Sequence, residues 1–191
     1  MSTLVIVLRA VSLLAFAAPM LLRFIGHPRE ARMRARHGGA DRVPVAANLA
    51  AFALFLPSLL IFSGTAESSL SLLLASLGSV LAIAGAALVF RSRMVLGPAW
   101  SLVPKADQET GLVTTGPYRL VRHPIYLGLV LLAAGEALAF SSLPAFAIVL
   151  FGIIPTFVWR ARAEETLLNR IFGERYGVYQ QQTKIIIPHL L

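Results

Sequence analysis

The stretch GPYRLVRHPIYLG, Gly116 to Gly128, crowds two arginines, a histidine, two tyrosines and two prolines directly before an apolar run. Gly116-Pro117 signals a turn. His123-Pro124 puts a proline in the first turn of a helix, with His123 at or near the capping position. A helix start carries unpaired N–H groups and the positive end of the helix dipole. With Arg119, Arg122 and His123 beside it, this start is expected to hold a small anion such as a carboxylate or phosphate. Tyr118 and Tyr126 add flat faces and hydroxyls. A juxtamembrane basic belt with interfacial tyrosines would use the same residue types, so both readings stay open at this point.

A second constellation reads WRARAEETLLNRIFGERYGVYQ, Trp159 to Gln180. Glu164 and Glu165 follow Arg160 and Arg162 closely, and a carboxylate pair beside fixed guanidiniums makes a dipolar pocket suited to a zwitterion. Leu167, Leu168, Ile171, Phe172, Tyr176 and Tyr179 recur at helical spacing and predict an amphipathic helix lying at an interface. His27, His37 and His189 have no evident partners.

These residues need elements to position them, and the composition says which kind. The chain is 57% hydrophobic and only 14% charged, against about 25% charged in a soluble domain. Its mean hydropathy is +0.76. Five apolar stretches are expected to span a bilayer: 4–25, 44–62, 70–90, 125–140 and 143–159. The first three match the roughly 20 residues a hydrocarbon core requires. The last two are divided only by the short SSLP around Ser141 and predict a tight hairpin, with Pro144 in the first turn of its second helix. The first is too long for a signal-peptide core and is read as a retained helix. The expected fold is all-α and polytopic, a single domain over 1–191. Residues 1–95 hold three spans, 96–191 carry the chemistry, and an amphipathic helix follows the hairpin on the cytoplasmic side.

Sixteen of the seventeen basic residues fall in the three segments that share one side of such a five-span chain. The positive-inside rule then places the N-terminus outside and the C-terminus, with both constellations, in the cytoplasm, as in a bacterial inner membrane. The net charge of +8 is read as basic loops facing anionic lipid, not as nucleic-acid binding, for which no motif is present. Arg9 and Glu136 fall inside spans, about 8–10 Å from their outer ends; they either pair with each other or snorkel outward. Gly78, Ala82 and Gly85 form a small-residue stripe suited to close helix contact. There is no cysteine, hence no thiolate chemistry, and no His/Asp/Glu cluster has metal-ligand spacing. No Gly-rich turn follows a strand, and no stretch is strand-like enough for a Rossmann sheet.

LVTTGPYRLVRHPIYLG, then a short hairpin, the Glu164-Glu165 pair and FGERYGVY together resemble the isoprenylcysteine carboxyl methyltransferase family, membrane enzymes related to phospholipid methyltransferases. LGPAWS, Leu96 to Ser101, is similar to its bacterial members. The resemblance covers the C-terminal half and implies S-adenosylmethionine as methyl donor, bound in a cytoplasm-facing pocket, with a lipophilic or prenylated acceptor entering from the bilayer. It also implies roles. Gly111, Leu112 and Val113 match a cofactor-lining turn, Tyr118 a cofactor-contacting tyrosine, and His123, Pro124, Ile125 and Tyr126 the core cofactor motif. Glu164 matches a cofactor-binding glutamate and Arg160 an arginine placed at the acceptor. The chain departs from eukaryotic members at Arg162-Ala163, where they carry a longer acidic run.

The residue chemistry is compatible with those roles. The cofactor's carboxylate suits Arg122 and the His123 helix start. Its ammonium suits Glu164, with Glu165 alongside. Tyrosine faces suit an adenine or a sulfonium cation. An acceptor carboxylate is ionised at neutral pH and needs no base, only orientation by Arg160 or Arg162. Two other readings compete: a membrane reductase of sterol-reductase type holding NADPH, and a non-enzymatic scaffold whose basic face binds lipid.

Overall fold

The computed structural model describes residues 3–25, 42–64, 68–96 and 111–186, all of which are helical or connecting chain, with no strand among them. His27, His37, His189 and the LGPAWS stretch after Leu96 lie outside the described residues. In order come α1 (Thr3–Ile25), α2 (Arg42–Ile61), α3 (Ser69–Leu96), a short 3-10 helix (Gly116–Arg119) and α4 (Pro124–Ala139). Then follow α5 (Leu143–Ile148), a π turn (Val149–Ile153), α6 (Ile154–Phe172) and α7 (Glu174–Gln182). Among the described residues, three stretches are long and apolar enough to cross a membrane: Val43–Ile61, Ser69–Leu96 and the continuous run Leu143–Phe172. The part of α1 over Thr3–Ala17 and the whole of α4, Pro124–Ala139, are shorter apolar stretches. Large apolar side chains such as Leu14, Leu54, Val80 and Phe151 point outward, as a lipid-facing surface requires.

The helices form two groups. α1, α3 and α4 pack together, α2 packs on α5, the π turn and α6, and the α4–α5 hairpin joins the groups. The closest contact is α3 on α4, and its cause is glycine. A Cβ on Gly78 would stand 2.4 Å from Ala139 N, one on Gly85 2.6 Å from Gly128 O, and one on Gly135 2.5 Å from Ala82 N. Only bare backbone allows that approach. The stripe Gly78, Ala82, Gly85 therefore meets a matching one, Gly128 and Gly135, on α4.

The hairpin turn is fixed by Ser142, whose Oγ accepts from Ala145 N at 3.4 Å and donates to Ser58 O of α2 at 3.1 Å. Pro144 lies in the first turn of α5, as expected. Farther on, Pro155 lacks an N–H and would strand a carbonyl one turn back; the wider π turn comes just before it. Thr156 Oγ1 lies 2.9 Å from Gly152 O and accepts from Asn48 Nδ2 of α2 at 2.6 Å.

Three expectations change. The third helix continues past residue 90 to Leu96. The fifth does not end at Trp159 but runs to Phe172, so the Arg160–Glu165 collar and Leu167 to Phe172 share one helix. The separate C-terminal helix begins only at Glu174, because Gly173 turns the chain at φ +54°. Arg9 and Glu136, meanwhile, bond to separate groups. Arg9 is buried; its Nε donates to Ala139 O at 3.0 Å and an Nη to Gly64 O at 2.8 Å. Glu136, fully buried, has Ser12 Oγ 3.1 Å from Oε2. A buried guanidinium must place its donors, and the carbonyl at the end of α4 takes one of them. Both contacts fasten α1 to α4.

Candidate functional site

The two constellations meet where the start of α4 faces α6 and α7. His123 occupies the capping position of α4, with Pro124 in the first turn. One turn on, the Tyr126 ring lies parallel to the imidazole, centroids 5.3 Å apart. Phe157 of α6 stacks on Tyr126 at 4.9 Å, and the Arg160 guanidinium stands 5.3 Å from the centre of the same ring. Spacing of four along α6 lets Arg160 Nε donate to Glu164 Oε1 at 3.1 Å. The Tyr126 hydroxyl donates to that same oxygen.

The adjacent glutamates point to different partners. Glu164 Oε2 lies 3.7 Å from His123 Nδ1, and Glu165 Oε1 lies 3.5 Å from His123 Nε2. Glu165 Oε1 also receives Arg122 Nε at 2.5 Å, and its Oε2 receives Gln180 Nε2 at 3.2 Å. The imidazole is thus flanked by carboxylates on both edges, in a buried setting.

A third contribution comes from the C-terminal segment. Arg122 Nη1 donates to Gln180 O at 3.1 Å and to Thr183 O. Arg122 N donates to Lys184 O at 2.8 Å and His123 N to Ile185 O at 2.9 Å. The Tyr179 hydroxyl donates to Tyr118 O at 2.6 Å. Burial first, then Tyr179 and Glu164, hold the Tyr118 phenol above its ordinary range, so it is a neutral donor at any working pH.

Most of the residues expected from sequence converge here: Tyr118, Arg122, His123, Pro124, Tyr126, Arg160, Glu164 and Glu165. Ile125 packs against the apolar core instead. Gly111, Leu112 and Val113 are half-buried on the chain leading to the 3-10 helix. Arg162 does not join: it is exposed, because two residues along a helix is a turn of about 200° away from Arg160. The anion cradle is also altered. The His123 N–H is taken by Ile185, Pro124 has none, and the Tyr126 and Leu127 N–H groups both return to His123 O. The Arg122 guanidinium is occupied by Glu165 and two carbonyls. Among the described residues, the buried polar atoms here without a hydrogen-bond partner are His123 Nε2 and the Tyr176 hydroxyl. Sequence reasoning missed Tyr176 and Gln180 as parts of the site. Their mutual spacing of four, on the helix Glu174–Gln182, puts both on one face and was the available signal.

The sequence model of the family described as "Phospholipid methyltransferase" matches residues 73–175 of this chain. Protein-S-isoprenylcysteine O-methyltransferase A of Arabidopsis thaliana is 35% identical over 85 residues, 43% of this chain and 42% of the relative. Protein-S-isoprenylcysteine O-methyltransferase of Saccharomyces cerevisiae is 31% identical over 136 residues, 70% of this chain and 56% of the relative. The chain therefore spans about half the length of these curated relatives. In three dimensions it resembles the eukaryotic intramembrane Ras methyltransferase ICMT, with a TM-score of 0.58 and 21% identity, covering 81% of this chain and 55% of that one. At that identity the likeness is one of fold.

Proposed function

Since the chain belongs to the phospholipid methyltransferase family, we propose that it is an integral membrane enzyme transferring a methyl group from S-adenosylmethionine to a lipophilic acceptor carboxylate of the isoprenylcysteine type. The observation that carries this reading is the cluster His123–Tyr126–Arg160–Glu164, held at the end of two apolar helices. The residues present fit the cofactor's chemistry. Glu164 and Glu165 offer carboxylates to an ammonium or a sulfonium, and aromatic faces favour the same cations. His123 Nε2 and the Tyr176 hydroxyl are buried polar atoms with hydrogen-bonding capacity to give. When bound, S-adenosylmethionine supplies a methyl group already activated on a sulfonium.

The chain's own share of the work is then binding, alignment and exclusion of water. Tyr126 and Glu164 hold the Arg160 guanidinium by its ring face and its Nε, which leaves the fork of terminal nitrogens to orient an anionic oxygen. A carboxylate is already ionised at neutral pH, so no base is required of the chain. An acceptor with an apolar tail reaches this point from the bilayer along the lipid-facing helices. Arg122 is better read as a brace for Glu165 than as a ligand, and Arg162 as a solvated surface charge. α1 and the shorter α4 complete five spans over one membrane domain, with the site at the cytoplasmic face of a bacterial inner membrane.

The test is calorimetric titration of the detergent-purified protein with S-adenosylhomocysteine, with NADPH in parallel. Saturable binding of the first alone, lost in His123→Ala, is the expected result. Binding of NADPH alone would make the protein a reductase and end this reading.

A further inference from the structure

The arginine beside the imidazole is built into the protein from three directions. Its Nε meets Glu165 of α6, its Nη1 meets the carbonyls of Gln180 and Thr183, and its backbone N–H meets Lys184 O. Val121 and Lys184 pair side by side in parallel, which carries His123 N onto Ile185 O. Ile185 and Ile186 are buried in the same apolar core as Tyr126, Phe157 and Ala161. Gln180 Nε2 and Arg122 Nε take separate oxygens of Glu165, so that carboxylate is held by both ends with Oε1 toward His123 Nε2. A guanidinium presents its donors in a fixed planar fork and serves several acceptors at once. That geometry suits a brace.

We infer that Arg122 and the segment Thr183–Ile186 form a clasp that sets the orientation of His123 and Glu165, making Arg122 a positioning residue whose closure completes the cofactor site. This rests on the reading of the site as one for S-adenosylmethionine. Opening the clasp would free the backbone of His123 and release one anchor of Glu165, so a ligand gripping those side chains binds the closed form. Linkage is reciprocal: such a ligand must hold the clasp shut.

Lys184 supplies the readout. Its side chain is exposed while its carbonyl is tied to Arg122, so trypsin cuts after Lys184 only when the clasp opens. Release of the peptide beginning at Ile185 is followed by mass spectrometry in detergent, with and without S-adenosylhomocysteine, beside calorimetry on the same samples. At a ligand concentration one hundred times Kd, cleavage of the natural sequence should slow up to about 100-fold. Arg122→Gln should speed cleavage and weaken binding together, each by about tenfold; Arg122→Lys, which keeps the charge without the fork, should fall between. If Arg122→Gln fails to fold, Ile186→Ala replaces it. That side chain is buried, has no polar atom to offer a ligand, and should produce the same paired change.

Ligand binding that leaves cleavage after Lys184 unchanged would overturn the clasp and leave the cofactor reading intact. So would an Arg122→Gln protein that binds poorly yet is cut no faster, since Arg122 would then be a direct ligand. Absence of S-adenosylhomocysteine binding to the natural sequence would remove the cofactor reading, and this inference with it.

Discussion

Arg160 and Arg162 are the same residue type two positions apart, and the helix gives them opposite surroundings. Arg160 is held under Tyr126 and against Glu164, with a side chain only 12% exposed. Arg162 is exposed. Arg160→Ala is therefore expected to leave S-adenosylhomocysteine binding within a few-fold, since Tyr126 still donates to Glu164, while methyl transfer falls by about 100-fold or more for want of acceptor alignment. Arg162→Ala should change neither. Calorimetry and a radiolabelled methyl-transfer assay on prenylcysteine analogues separate the two quantities. Equal loss of both at Arg160 would put that residue at the cofactor instead. From sequence, the residue types of the site were plain. The choice between the two arginines was not, because it depends on helix phase, and the π turn before Pro155 resets that phase by a residue.

Between helices, the decisive contact is α3 against α4, where backbone meets backbone. Gly135→Ala would put a methyl 2.5 Å from Ala82 N and 2.6 Å from Gly78 O. Neither is a side chain that could swing aside, so the helices must part. The expected cost is about 1–3 kcal/mol, read as a lower midpoint of thermal unfolding in detergent. Gly177 provides the contrast. It sits inside α7, and a methyl there would have no neighbour within 4 Å, so Gly177→Ala should stabilise by roughly 0.5–1 kcal/mol through helix propensity alone. A lower midpoint for Gly177→Ala would mean that α7 is packed on that face. One half of the α3–α4 contact was legible, because Gly78, Ala82 and Gly85 recur at helical spacing in an apolar run. The docking of α7 and the C-terminal segment was not. Its bonds run through the carbonyls of Gln180, Thr183, Lys184 and Ile185, and a backbone carbonyl leaves no mark on residue type.

Over the whole molecule, function depends on which end of the bundle faces the cytoplasm. Two polar regions lie at opposite ends of α4: the His123 cluster at its start, and Arg9, Ser12 and Glu136 near its finish. A 16-residue helix separates them by roughly 20 Å. The first is bordered by exposed Arg119, Arg170, Arg175 and Lys184, and the described part of the α2–α3 connection and the Ser141 turn carry no basic residue. A potential of that asymmetry selects one orientation at insertion. The chain contains no cysteine, so single cysteines can report sidedness against a silent background. Ser69→Cys, exposed at the start of α3, should react in intact cells with a membrane-impermeant maleimide. Arg162→Cys, exposed near the His123 cluster, should react only after the membrane is opened. The reverse pattern would invert the topology and take the site out of reach of a cytoplasmic cofactor. Labelling of both from the same side would mean that one of the three stretches between them, α3, α4 or the α5–α6 run, does not carry the chain across.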